Sequence, residues 1–333
     1  MKYKNVIATR RGGPEVLEVI EQETRPLTPQ ETRIRVLATG VGGTDVNYRY
    51  GLSLFSPKTP FVPGYEIMGV VEAVGDRVKN VAVGDRVAAL IGHGGYTEII
   101  CIAEEHLVPV SPGLNPADVV AVVLNYVTAY QMLHRVAKVK SGDKVLINGA
   151  SGGVGTALME LGKLAGLKMY GTASPGKHDV LISFGVTPID YHTQDFLEVI
   201  SHAEPEGLDF VFDGIGGEQT NRGLAILGKG GKLVAFAAPG GLRSTLSRML
   251  KMLWINLIPN AKSATFYGIT ALYLRDRKPF KEDVARLLKW LEEGQIKPII
   301  SARFPILEAR AANELLESGK MAGNIVLLSP ELL

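Results

Sequence analysis

A chain of 333 residues is long for one hydrophobic core and suits two domains. Its net charge of +2 leaves no basic excess for nucleic acid, and its longest apolar runs, "ADVVAVVLNYV" and "MLKMLWINLI", are too short to span a bilayer. The single cysteine, Cys101, excludes an intrachain disulfide and a cysteine-rich zinc cluster, and the opening "MKYKNVIATRRGGPEV" lacks the apolar core of a secretion signal, so the expected location is the cytoplasm.

Up to about residue 120 the chain reads as short strands broken by glycine and proline: "TRIRVLATGVG", "MGVVEAV", "DRVAAL" and "YTEIICI". Cys101 falls in the last of these and reads as a plain strand residue. "VGDRV" occurs from Val74 and again from Val83, each copy looking like a Gly-Asp turn that feeds a strand. Beyond about residue 120 the period changes. The strands "DKVLIN", "LKMYGTA", "LDFVFDG" and "GKLVAFA" alternate with the helical stretches "GVGTALMELGKLAG", "GKHDVLISFG" and "GEQTNRGLAILG". That alternation predicts a parallel sheet with right-handed crossovers. The helices "KEDVARLLKWLEEG" and "LEARAANELLESG" and the strand "GNIVLL" close the chain and are expected to pack back on the N-terminal barrel.

"NGASGGVG", from Asn148, follows a strand and opens a helix, the setting a dinucleotide-binding turn requires. In the Gly-x-Gly-x-x-Gly reading, Gly152 and Gly155 fill the last two positions, Ala150 stands at the first, and Gly153 is an addition. The helix N-terminus then offers free N–H groups and a partial positive charge to a pyrophosphate. An acid about twenty positions further on would bond the ribose diol of NAD. Thr172 stands there instead, followed by Ser174 and Lys177, which suit a 2′-phosphate. A charge-assisted bond of about 1.5–3 kcal/mol gives roughly ten- to hundred-fold preference, so the expected cofactor is NADPH.

"VPGYEIMGVVEAVGDRVKNVAVGDRVAAL", "NGASGGVGTALMELGKLAG", "DFVFDGIGGE" and "SGKMAGNIVLL" together resemble the medium-chain dehydrogenase/reductase superfamily, most closely its zinc-independent quinone oxidoreductase branch, which includes zeta-crystallin-like proteins. The resemblance covers almost the whole chain. It implies an α/β protein: a GroES-like β-barrel catalytic domain, residues 1–120 and 271–333, and a Rossmann doubly wound parallel-sheet domain, residues 121–270, that binds NADPH and forms a homodimer. Matched motif by motif, it implies a cofactor grip of Gly152, Gly153, Val154 and Gly155 at the pyrophosphate, and of Ser174, Lys177 and Tyr191 at the adenosine phosphate. Gly214, Phe236, Thr128 and Asn324 fall beside the ribose and nicotinamide.

Zinc-dependent members carry "GxCGTD" and a Gly-His-Glu, with a third ligand further on. This chain has Gly42 at the cysteine, Tyr65 at the histidine and Asn125 near the third position, and only Glu66 of that set remains. A catalytic zinc needs three protein ligands, so none is expected. Without it, reduction of a quinone or of an activated carbon–carbon double bond is the expected reaction, because the charge moves to a distant oxygen that neutral hydrogen bonds can hold. The catalytic candidates are Asn47 and Tyr50 (with Tyr48 as an alternative to either), Tyr65 and Asn125; Arg49 is expected to brace the barrel through Asp45. The run "LSRMLKMLWINLIPNAKSATFYG" reads as a substrate wall, a dimer surface or core. Two alternatives are a trans-2-enoyl thioester reductase, with Arg243, Arg248 and Lys251 near an acyl carrier, and a non-enzymatic, crystallin-like NADPH-binding protein.

Overall fold

The computed structural model describes residues 1–236, 250, 252–257 and 262–333. The chain divides into two compact units. The first comprises Met1–Gly51, Phe55–Val127 and Arg277–Leu333, and the second Leu52–Leu54 and Thr128–Asp276.

In the first unit, β1 (Lys2–Ala8) and β2 (Leu17–Glu23) form an antiparallel pair. The main sheet is built on β3 (Glu31–Val41), which pairs antiparallel with β4 (Glu66–Val74) and β6 (Ile99–Ala103). Beyond β4 lie β5 (Arg86–Leu90) and β7 (Val108–Pro109). The C-terminal β15 (Asn324–Leu328) pairs antiparallel with β3 and carries β14 (Ile300–Pro305), so the end of the chain does complete the N-terminal sheet. The first half of β3 alternates half-buried and buried residues, and the rest is wholly buried, as a strand with a partner on each side requires. The two "VGDRV" copies differ in use. The first leaves β4 through a turn, and only the second leads into a strand, β5. Cys101 pairs with Arg33 across β6 and β3, and burial pushes its thiol up, away from the reactive thiolate.

The second unit holds a six-stranded parallel sheet of β8 (Lys144–Asn148), β9 (Lys168–Ala173), β10 (Val186–Asp190), β11 (Leu208–Asp213), β12 (Leu227–Ala235) and β13 (Ser263–Phe266). Their order is β10-β9-β8-β11-β12-β13. The reversal after β8 creates the switch point at which a doubly wound sheet receives its ligand. β8 and β9 are buried almost throughout, because helices cover such a sheet on both faces. The core gathers Leu146, Tyr170, Ile189, Ile200, Val211 and Leu233. Helix Phe196–Ala203 starts at Asp195, whose carboxylate accepts the Leu197 N–H at 2.8 Å.

At the opposite ends of the strands from the switch point, buried Glu204 ties β8 to β9. It accepts from Lys144 Nζ at 2.6 Å, Lys168 Nζ at 2.5 Å and the Tyr170 hydroxyl at 2.7 Å. Burial would raise this carboxyl, but the three donors outweigh it and hold it at about 2. A depressed carboxylate stabilises the fold above its unfolded pKa of about 4.3 and loses that contribution as pH falls through about 2. Glu204→Gln is therefore expected to lower the unfolding midpoint at pH 7 by roughly 2–4 °C and to converge on wild type in acid, as read by calorimetry across pH.

Candidate active site

The glycine turn sits where β8 ends, at the switch point. Gly149 has φ +81°, and helix Gly153–Leu164 begins at Gly152 with no side-chain cap and no acid in its first turn. Its first N–H groups are thus left for an anion. A Cβ on Gly155 would strike the carbonyl oxygens of Gly149 and Ala150, and a Cβ on Gly171 would meet that of Ala150 at 2.8 Å. Gly155 and Gly171 keep helix, turn and β9 in close approach. Gly152 is open, with only the Gly149 oxygen 3.7 Å from its would-be Cβ.

Thr172, where an acid was sought, has a structural use. Its hydroxyl accepts the Gly149 N–H at 3.0 Å and donates to Asn148 Oδ1 at 2.9 Å. Asn148 Nδ2 is left buried with no partner beneath the turn. Sequence reasoning missed this Asn148–Thr172 brace; the signal was an amide and a hydroxyl at the C-terminal ends of neighbouring strands.

Gly214 and Phe236 come together beside the turn. The Gly214 N–H donates to the Asn148 carbonyl at 3.1 Å, and the Phe236 N–H donates to that of Asp213 at 3.0 Å. A Cβ on Gly214 would meet the Phe236 ring at 2.6 Å. Residues 237–241, which follow Phe236, lie outside the described residues, as do Arg243, Arg248 and Lys251. Thr128 is buried in the helical run 116–137.

β9 and β10 run in register, Ala173 opposite Asp190. The next residues, Ser174 and Tyr191, therefore emerge side by side. Lys177 closes the short turn Pro175–Lys177, half-buried, and desolvation lowers its ammonium pKa. Tyr191 is exposed and its ring lies 4.2 Å from that of His192. The Asp190 carboxylate is turned into its own loop. It accepts from the Thr193 hydroxyl at 2.7 Å and the His192 N–H at 3.0 Å, bonds that hold its pKa low.

The first unit contributes a small pocket lined by Gly40, Gly42, Glu66, Leu124, Asn125 and Asn324, among others. Asn125 Nδ2 donates to Asn324 Oδ1 at 2.6 Å, and Asn324 Nδ2 donates to the Ile299 carbonyl at 2.9 Å. Glu66 is buried, and a Cβ on Gly40 would collide with its Oε1. Burial, and then the nearby charge of Asp45, push the Glu66 carboxyl well above the usual range. Asp45 accepts the N–H groups of Gly64 at 2.8 Å and Gly42 at 3.0 Å; burial raises it to about 6.

Asn47, Tyr50 and Tyr65 do not line this pocket. Asn47 is half-buried on helix Gly43–Tyr50. Tyr65 is buried, 5.9 Å from the Tyr48 ring. Tyr50 is exposed; its hydroxyl donates to Glu317 Oε2 at 3.1 Å, and its ring lies under the Arg49 guanidinium. The expected Arg49–Asp45 brace takes another form. Arg49 pairs with Glu317 and donates to the Gly12 carbonyl at 2.6 Å, and it reaches Asp45 through its charge, which works against the burial that raises that carboxyl.

A parallel sheet with a glycine turn at its switch point, together with a GroES-like sheet unit, defines a two-domain nucleotide-dependent oxidoreductase. Residues 28–112 match the alcohol dehydrogenase GroES-like domain family, and residues 185–327 the family described as zinc-binding dehydrogenase. The chain is 30% identical to a Danio rerio synaptic vesicle membrane protein VAT-1 homolog, over 98% of this chain and 70% of that one. It is 31% identical to a Lama guanicoe quinone oxidoreductase, over 95% and 94%. A mycobacterial protein solved in complex with NADPH superposes with a TM-score of 0.85 at 27% identity, over 98% and 99%. The chain belongs to the medium-chain dehydrogenase/reductase superfamily, in its quinone oxidoreductase branch.

Proposed function

We propose that the chain reduces quinones or α,β-unsaturated carbonyl compounds with NADPH and without a catalytic metal. The observation that carries the reading is the switch-point turn: a helix N-terminus without a side-chain cap, an orphaned Asn148 amide, and Ser174 and Tyr191 following neighbouring strand ends, with Lys177 closing the turn after β9. Gly152, Gly153, Val154 and Gly155 would hold the pyrophosphate, and Ser174, Lys177 and Tyr191 the 2′-phosphate. NADPH, when bound, supplies a hydride. Asn125, with its amide fixed by Asn324, donates a hydrogen bond to the substrate oxygen as negative charge develops there. The residues do not fit zinc: Gly42 has no donor, Tyr65 is buried, and among the described residues no group of three His, Cys, Asp or Glu is placed to hold a metal. Among the described strands β13 stands at an edge of the six-stranded sheet, which supports the homodimer reading by offering a strand to a second copy. No described helix is long and apolar enough to cross a membrane, and a cytoplasmic location is part of the same proposal.

The test is NADPH oxidation with an ortho-quinone, a para-quinone and a short alkenal in chelator-treated buffer, with NADH in parallel. Chelator-insensitive turnover that favours NADPH is expected. Lys177→Ala should weaken NADPH binding roughly ten- to hundred-fold and leave NADH nearly unchanged. Equal loss with both cofactors would remove Lys177 from the phosphate site. NADPH binding with no turnover would favour the acyl-thioester and non-enzymatic readings together.

A further inference from the structure

We propose that Glu66 is the proton donor of this site, delivering its carboxyl proton to the substrate oxygen inside the pocket it shares with Asn125 and Asn324. This rests on the reductase reading above.

The pocket is built around the acid. Gly40 vacates the space its Oε1 occupies, and the Gly42 wall is open, with only Asp45 Oδ2 4.0 Å from a would-be Cβ. The two asparagines are neutral and locked to each other. Of the pocket-lining side chains, Glu66 alone is titratable. The groups that act on it are Asp45 on helix Gly43–Tyr50, Tyr96, and the backbone N–H of Gly40. The charge that acts on Glu66 is the negative one of Asp45. Burial and that charge both raise the Glu66 carboxyl and favour its neutral form, against the Gly40 N–H that favours the carboxylate.

The step balances simply. Hydride adds to the electrophilic carbon with its electron pair, and the displaced π pair moves to the carbonyl oxygen. The Glu66 Oε–H bond breaks as an O–H bond forms there. Glu66 is left as carboxylate and regains a proton from water.

Glu66→Gln keeps size and neutrality but cannot supply the acid proton. Infrared difference spectra of the protein alone, wild type minus variant at pH 7, are expected to show the carbonyl stretch of a neutral carboxylic acid. Wild-type stability should fall as pH rises above the unfolded pKa of about 4.3 toward the raised folded value, because the native state then holds the extra proton; the variant should lack that slope. With NADPH and an enone, kcat of the variant should drop about 100-fold with KM for NADPH unchanged, and the alkaline limb of the kcat profile should vanish. Glu66→Asp should recover part of the rate. An absent infrared band, or a folded Gln variant with wild-type kcat and pH profile, overturns the assignment while leaving the reductase reading intact. A wild-type protein that shows the band yet turns over no acceptor defeats the reductase reading, and the donor role with it.

Discussion

Gly155→Val is expected to reduce NADPH affinity by about two to three powers of ten, roughly 3–4 kcal/mol. The new side chain has nowhere to go. Its Cβ would strike the carbonyl oxygens of Gly149 and Ala150, which are backbone and cannot rotate aside. The helix must then move off the turn, and the N–H groups expected to meet the pyrophosphate move with it. β8 itself should stay, so the variant is expected to fold with a midpoint lowered by a few degrees, in line with overpacking costs of about 1–3 kcal/mol. Fluorescence titration with NADPH, beside a thermal melt, separates the two effects. A folded variant with wild-type affinity would mean that the turn does not carry the pyrophosphate.

Asn125→Ala should lower kcat by about 10²–10³, the usual cost of one lost oxyanion donor, with KM for NADPH nearly unchanged. The alanine also strips Asn324 Oδ1 of its donor, which costs on the order of 1–3 kcal/mol of stability. Asn324→Ala breaks the same bond from the other side while keeping the Asn125 amide. If the two variants lose stability alike but Asn125→Ala loses more kcat than Asn324→Ala, which leaves the amide present but unfixed, the amide acts on substrate. Equal kcat losses would make Asn125 a positioning residue. Asn125 lines the pocket, and Tyr65 is buried outside it.

Much of the fold was legible in short patterns. The β8-to-helix turn declared itself because backbone geometry there tolerates only glycine: Gly149 at positive φ and Gly155 against two carbonyls. The parallel sheet was legible because strands alternate with helices of crossover length along the chain. The "VGDRV" echo misled, since a Gly-Asp turn serves equally to leave a strand and to enter one. Arg49 misled for a related reason. Asp45 lies four residues away on the same helix, but the partner it meets, Glu317, is distant in sequence.

By itself the sequence determined the class of each unit, the placement of the glycine turn, and that residues 42 and 65 are glycine and tyrosine rather than cysteine and histidine. These depend on local spacing: a glycine where a Cβ cannot fit, an alternation of strands and helices, a missing cysteine or histidine. Only the tertiary structure decided that Glu66, Asn125 and Asn324 share one pocket, that Thr172 braces the turn through Asn148, and that Ser174 and Tyr191 emerge side by side. Those facts join residues between 17 and 258 positions apart. Strand register and burial bring them together, and both are set by the packing of the whole sheet.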